Sequence, residues 1–155
     1  MKTAHDMIQE KGRDLLCVPE GATIREALEK MNAGKVGAIL VTRKEKPVGI
    51  WTERDLLHNI LDETFDPGRS RIEAFMTREL ILAPHTDTVY NLMDKFLGRR
   101  VRHLLIEKDG EIIGMVSAGD VMKASIQEKD SELKQLNSMV GWDYYENWCW
   151  RPESK

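Results

Sequence analysis

Two short stretches of this chain place a hydroxyl and a carboxylate three residues apart: Thr52-Glu53-Arg54-Asp55 and Ser117-Ala118-Gly119-Asp120. Each follows an apolar run with strand character and opens a run with helix character. At such a junction the first backbone N–H groups lack helical acceptors and the helix dipole is positive, a ready anion site. A hydroxyl there can donate to a phosphate oxygen, and a carboxylate one turn in can accept from a sugar diol. The same spacing is also a helix-start signature in which both groups cap their own helix. The residues alone leave both readings open. Gly49 and Gly114 stand three residues before the hydroxyls and would let a flat ring approach the strand.

Arg102 and His103 open a later strand. The fork of Arg102 suits phosphate, against the alternative of a solvated basic cluster with Arg99 and Arg100. His103 is its neighbouring candidate, with a structural role as the stronger reading. Arg54 could also serve a phosphate, although Glu53 beside it weakens that case. His5, His58 and His85 have no metal-ligand spacing. No Ser-His-Asp signature, P-loop or G-x-G-x-x-G is found, and an enzyme is not expected.

These candidates recur because the chain repeats itself. Residues 13–57 align without a gap on residues 78–122, an offset of 65, with 9 identities in 45 positions and a matching apolar pattern. The identities include Pro19/Pro84, Thr23/Thr88, Gly49/Gly114 and Asp55/Asp120. In the first copy a strand at 15–18 ends at Pro19. Thr23 then caps a helix whose Ile24, Ala27, Leu28 and Met31 share one face. Gly34 is placed to end that helix. Strands at 38–42 and 48–52 form a hairpin, and a second helix runs from Glu53 to about Leu61. The second copy reads alike: strand 80–83, helix 88–97, strands 103–107 and 112–116. Residues 62–70 link the two.

The motifs Gly49-Ile50-Trp51-Thr52-Glu53-Arg54-Asp55 and Gly114-Met115-Val116-Ser117-Ala118-Gly119-Asp120 resemble those of cystathionine-β-synthase-type (CBS) domains arranged as a tandem pair. Phe75-Met76-Thr77 and Val101-Arg102-His103-Leu104 support the likeness. The resemblance implies an α+β fold of two β-α-β-β-α repeats packed as one pseudo-two-fold module. It also implies a regulatory sensor that binds an adenosine-containing ligand between the copies: AMP, ADP or ATP, ahead of NAD or S-adenosylmethionine. In such a site the Asp holds ribose hydroxyls and the Ser or Thr touches phosphate. Asp120, Ser117 and Arg102 are expected to form the better site, with Asp55 and Thr52 in the other. The first copy carries Gly37 and Ala38 where the second has Arg102 and His103, so the two clefts should differ. Boundaries are set at 5–65 and 70–125 for the repeats and 126–155 for an extension.

In that extension Met122, Ile126, Lys129, Leu133, Leu136 and Val140 follow heptad-like spacing. The stripe suits a helix packed along its own module or paired with a second chain, and a homodimer is expected. Gly141 then precedes Trp142, Tyr144, Tyr145, Trp148 and Trp150. This aromatic tail either folds back or docks a protein partner, the latter giving a ligand-free scaffold as the alternative function.

Composition bounds the rest. The 155 residues carry 23 Lys+Arg against 26 Asp+Glu, a net charge of −3, and 41% are hydrophobic. A real core is affordable, no global basic footprint invites nucleic acid, and no apolar run approaches a bilayer span. Cys17 and Cys149 are too few for a disulfide framework. The expectation is a cytoplasmic protein with neither a membrane nor a nucleic-acid partner.

Overall fold

Ile39, Leu40 and Val41 are all buried, as are Leu104, Leu105 and Ile106. Three consecutive buried residues mean a strand covered on both faces. They lie in the middle strands of two three-stranded sheets in the computed structural model, which describes residues 1–139. The first sheet has the order β1 (Cys17–Pro19), β2 (Ala38–Arg43), β3 (Lys46–Thr52), with β1 parallel and β3 antiparallel to β2. The second has β4 (Leu82–Pro84), β5 (His103–Lys108) and β6 (Glu111–Ser117) in the same arrangement. Helices α2 (Ile24–Gly34) and α4 (Val89–Arg99) make the parallel crossovers. Helices α3 (Glu53–Asn59) and α5 (Ala118–Met139) follow the last strand of each sheet.

The offset of 65 holds to the residue from β1 to β3. Even the bulge between Val41 and Thr42 returns between Ile106 and Glu107. Thr23 caps α2 in the expected box: its amide donates to Glu26 Oε2 at 2.7 Å, and the Glu26 amide donates to Thr23 Oγ1 at 3.2 Å. The helix ends at Gly34 as its sequence suggests, but the glycine is not the cap. Gly34 stays helical, and the left-handed cap is Lys35, with φ 51°. Arg100 does the same for α4, with φ 52°. Backbone bonds from Lys35 to Asn32 (3.2 Å) and from Val36 to Met31 (3.1 Å) close the turn.

Both hairpins turn through two residues of positive φ, Lys44 and Glu45 (48° and 65°) and Asp109 and Gly110 (53° and 83°). These are the signs of a type I′ turn, for which Asn-Gly or Asp-Gly is preferred. Lys44-Glu45 pays a steric cost that the second hairpin avoids. Replacing it by Asn-Gly should raise stability by about 1 kcal/mol, read as a higher urea midpoint. An unchanged midpoint would show that the first turn holds no strain.

Two cores result. One gathers Val18, Ile24, Ala27, Met31, Ile39 and Trp51 with Ile72 and Met76 from the segment after the linker, which turns through a short 3₁₀ segment at Ile72–Ala74. The other gathers Ala83, Val89, Leu92, Leu104, Ile106 and Val116 with Ala4 and Met7. Those last two belong to a helix that the sequence reading missed, α1 (Ala4–Lys11). Its signals are present: a Thr3/Asp6 capping box, Ala4, Met7, Ile8 and Lys11 on one face, and Gly12 as left-handed cap. The segment before the first repeat therefore completes the core of the second, which ties the copies into one module.

Helix α5 is anchored by buried Val121 and Ala124, yet Met122, Ile126, Leu133 and Leu136 are each more than half exposed. The stripe does not pack along its own module. Lys129 interrupts it because its ammonium lies 5.0 Å from the Tyr90 ring centroid and 3.0 Å from Glu132. Val140, Gly141 and the aromatic tail lie outside the described residues.

Candidate functional site

The strand-to-helix junction of the first repeat shares a cleft with the strand entrance of the second. In the first cleft, of about 220 Å³, Thr52, Arg54 and Asp55 from the first repeat share the lining with Ile81, Arg102 and His103 from the second. Here the local fold makes a double use of Thr52 and Asp55. The Thr52 amide donates to Asp55 Oδ2 at 2.9 Å and its hydroxyl donates to the same oxygen at 3.1 Å. The Asp55 amide returns a bond to Thr52 Oγ1 at 3.3 Å. Capping is thus real, and it falls on Oδ2 alone. Asp55 Oδ1 takes no hydrogen bond from the described residues.

Charge around this cleft is mixed. Arg54, Arg100 and Arg102 are exposed and line it, as do Glu53, Asp55 and Glu79. His103 is half-buried and pairs across the ladder with Ser117. Burial pushes its pKa down, and Lys11 and Arg102 add to that against the pull of Glu53 and Asp120. At neutral pH it is a neutral imidazole, one nitrogen donating and one accepting, and the arginines supply the cleft's positive charge. Leu105 and Ile81 give an apolar floor. A cleft with an apolar floor, a free carboxylate oxygen and arginines at its rim can take a ring, a diol and a phosphate together.

The second cleft is the counterpart, about 280 Å³, lined by Leu16, Val36, Ala38 and Met115 with Ile8 and Lys11 of α1. Arg102 stands beside the Ser117–Asp120 junction in its own sheet, where the Ala118 amide donates to its carbonyl at 3.0 Å, and it also lines the first cleft with Thr52 and Asp55. Asp120 is instead held by Lys11, whose ammonium lies 2.9 Å from Oδ2 and 3.3 Å from the Met115 carbonyl. The same Oδ2 accepts the Ser117 amide at 2.8 Å, and the Asp120 amide donates to Ser117 Oγ at 3.1 Å. Burial pushes the Asp120 pKa up, but Lys11 and Ser117 outweigh it and the net shift is down.

The two glycines both admit protein closely, and Gly114 also lines the second cleft. A Cβ on Gly49 would lie 2.4 Å from Met76 Sδ and 3.1 Å from the Thr77 carbonyl. A Cβ on Gly114 would lie 2.5 Å from Ile8 Cδ1. What approaches these strands closely is protein: the segment after the linker, over β3 where Ile50 and Thr77 bridge, and α1 over β6. Lys11 is the residue the sequence reading missed at this site. Its signal was its place on the apolar face of α1, but nothing local says which carboxylate it meets.

The CBS domain family model matches residues 8–62 and again 72–127. The mitochondrial CBS domain-containing protein CBSX3 of Arabidopsis thaliana is 32% identical over 152 residues, covering 92% of this chain and 73% of the relative. A CBS-domain-containing protein from Agrobacterium tumefaciens superposes with a TM-score of 0.74 at 33% identity, covering 80% of this chain and 99% of its own. A CBS domain protein from Pyrobaculum aerophilum, complexed with AMP, superposes with a TM-score of 0.67 at 25% identity, over 77% of this chain and 89% of its own. The two matches fall on the two sheets and their helices, and the chain belongs to the CBS domain family as a tandem pair.

Proposed function

We propose that this protein is a non-catalytic regulatory module that binds an adenosine-containing nucleotide of the AMP, ADP or ATP class between its repeats and passes its occupancy to a partner. The observation that carries this reading is the first cleft, where Thr52 and Asp55 of one repeat meet Arg102 and His103 of the other. In this reading Asp55 Oδ1 accepts from the ribose diol, Arg102 holds phosphate, and Ile81 and Leu105 lie against the base. The AMP-bound relative from Pyrobaculum aerophilum supports the ligand class. A ligand touching both repeats favours one relative orientation of them, so binding shifts a population that a partner can read. The test is thermal unfolding with AMP, ADP, ATP, NAD and S-adenosylmethionine. At least one adenylate should raise the midpoint, since binding to the native state adds stability. No shift at millimolar concentration of any of them would defeat the reading.

Assembly is part of the same proposal. Leu57 (71% exposed) and Leu61 (85%) on and after α3 have as their offset partners Met122 (62%) and Ile126 (59%) on α5. Equivalent apolar faces left bare in both repeats suit cover by a second copy, giving a homodimer. Leu61→Lys with Ile126→Lys should convert the dimer to a monomer in sedimentation. A variant that sediments like the parent would remove these faces from the interface. No helix among the described residues is long and apolar enough to cross a membrane; a cytoplasmic setting completes the proposal.

A further inference from the structure

The two clefts are alike in backbone and differ in what reaches their acid. In the first, Asp55 lines the cleft directly, and its described partner is Thr52 in its own capping box. In the second, neither Asp120 nor Ser117 lines the cleft; Lys11 does. Asp120 opens instead onto the groove between α1 and α5, beside Lys2 and Lys123. Lys11 lines both spaces and stands between them.

From this arrangement we infer that Lys11 is a built-in occupant of the second carboxylate: it holds Asp120 out of its cleft, so that each chain takes one nucleotide, in the Thr52/Asp55 cleft. The inference rests on the nucleotide reading above and sharpens it. A ribose diol offers Asp120 two neutral donors, whereas Lys11 offers a charged one. Both are charge-assisted through the carboxylate, but only the Lys11 contact pairs two ionised groups. The ammonium is also positioned in advance, since α1 is fixed at both ends. Its first turn is tied down where the Ala4 amide meets the Asp87 carbonyl (2.7 Å) and the His5 amide meets that of His85 (2.9 Å). Near its last turn, Ile8 fills the space over Gly114. Asp120 Oδ1, like Asp55 Oδ1, takes no hydrogen bond from the described residues, so what sets the acids apart is the half-buried ammonium that stands between Asp120 and its cleft. The first cleft has no counterpart: the offset partner of Lys11 is Met76, which is buried against Gly49 and carries no charge.

Lys11→Met keeps the apolar stem on α1 and removes the ammonium. Titration calorimetry with AMP should give one equivalent per chain for the parent and two for Lys11→Met. Asp55→Ala should bind roughly 10- to 100-fold more weakly in the parent background and keep one undiminished equivalent in the Lys11→Met background. Two equivalents in the parent, or one in Lys11→Met, would overturn the inference while leaving the nucleotide reading intact. If AMP, ADP and ATP all fail to bind these proteins, the nucleotide reading falls by itself, and amide exchange in α1 decides the latch. Faster exchange of residues 4–11 in both Lys11→Met and Asp120→Asn sustains it, and unchanged exchange overturns it.

Discussion

Trp51→Ala should cost about 3–5 kcal/mol of folding stability, the range for removing a buried large aromatic. Trp51 is fully buried in the first repeat's core, and its indole Nε1 donates to Asn59 Oδ1 at 2.9 Å. The substitution therefore opens a cavity and strands an acceptor at the end of α3. Against the 5–15 kcal/mol (about) that holds a typical domain, this is a large fraction. Urea unfolding followed by far-ultraviolet circular dichroism reads it without relying on tryptophan fluorescence. Trp51→Phe separates the two contributions, since it keeps most of the volume and removes only the donor. A cost below about 1 kcal/mol for Trp51→Ala would mean that the first core collapses around the gap or is not organised on this residue.

Asp55→Ala should weaken nucleotide binding by roughly 10- to 100-fold. Hydrogen bonds to a charged group contribute about 1.5–3 kcal/mol each, and about 1.4 kcal/mol is tenfold in affinity. The same substitution removes the acceptor of the Thr52 amide and hydroxyl. The unliganded protein should accordingly melt earlier, as for any lost helix cap. The two effects are separable because only the ligand-dependent part of the midpoint shift reads the cleft. Asp55→Asn, which can still accept at the helix start, should recover much of the unliganded stability and little of the binding. Full ligand response in Asp55→Ala would mean that its carboxylate is a cap and nothing more.

Both predictions concern neighbouring residues, and their legibility differs. That position 51 is interior follows from the alternation of β3 and from its offset partner Val116, also fully buried. That Trp51 reaches Asn59 does not follow, because the pair is joined by the path of α3. The capping role of Thr52 and Asp55 is a matter of three-residue spacing and is readable in full. Whether any oxygen is left over for a ligand depends on what else comes near. Both acids keep Oδ1 without a hydrogen bond from the described residues, but a lysine 109 residues earlier stands beside Asp120 and none stands beside Asp55.

The sequence by itself determined the duplication, the order of elements in each copy, the hairpins and the helix caps. All of these arise from periodicity and spacing over a few residues, or from comparing one copy with the other. It missed α1, whose eight residues precede the repeat and so had no second copy to announce them. Only the tertiary structure decided that Arg102 lines the cleft of Asp55, what lies over Gly49 and Gly114, and that Lys11 reaches Asp120. The physical reason is common to all three. Local backbone preferences and side-chain periodicity act within a repeat, whereas these contacts cross between segments far apart in the chain. They are fixed by how two nearly identical surfaces dock, and the differences that matter there are single side chains.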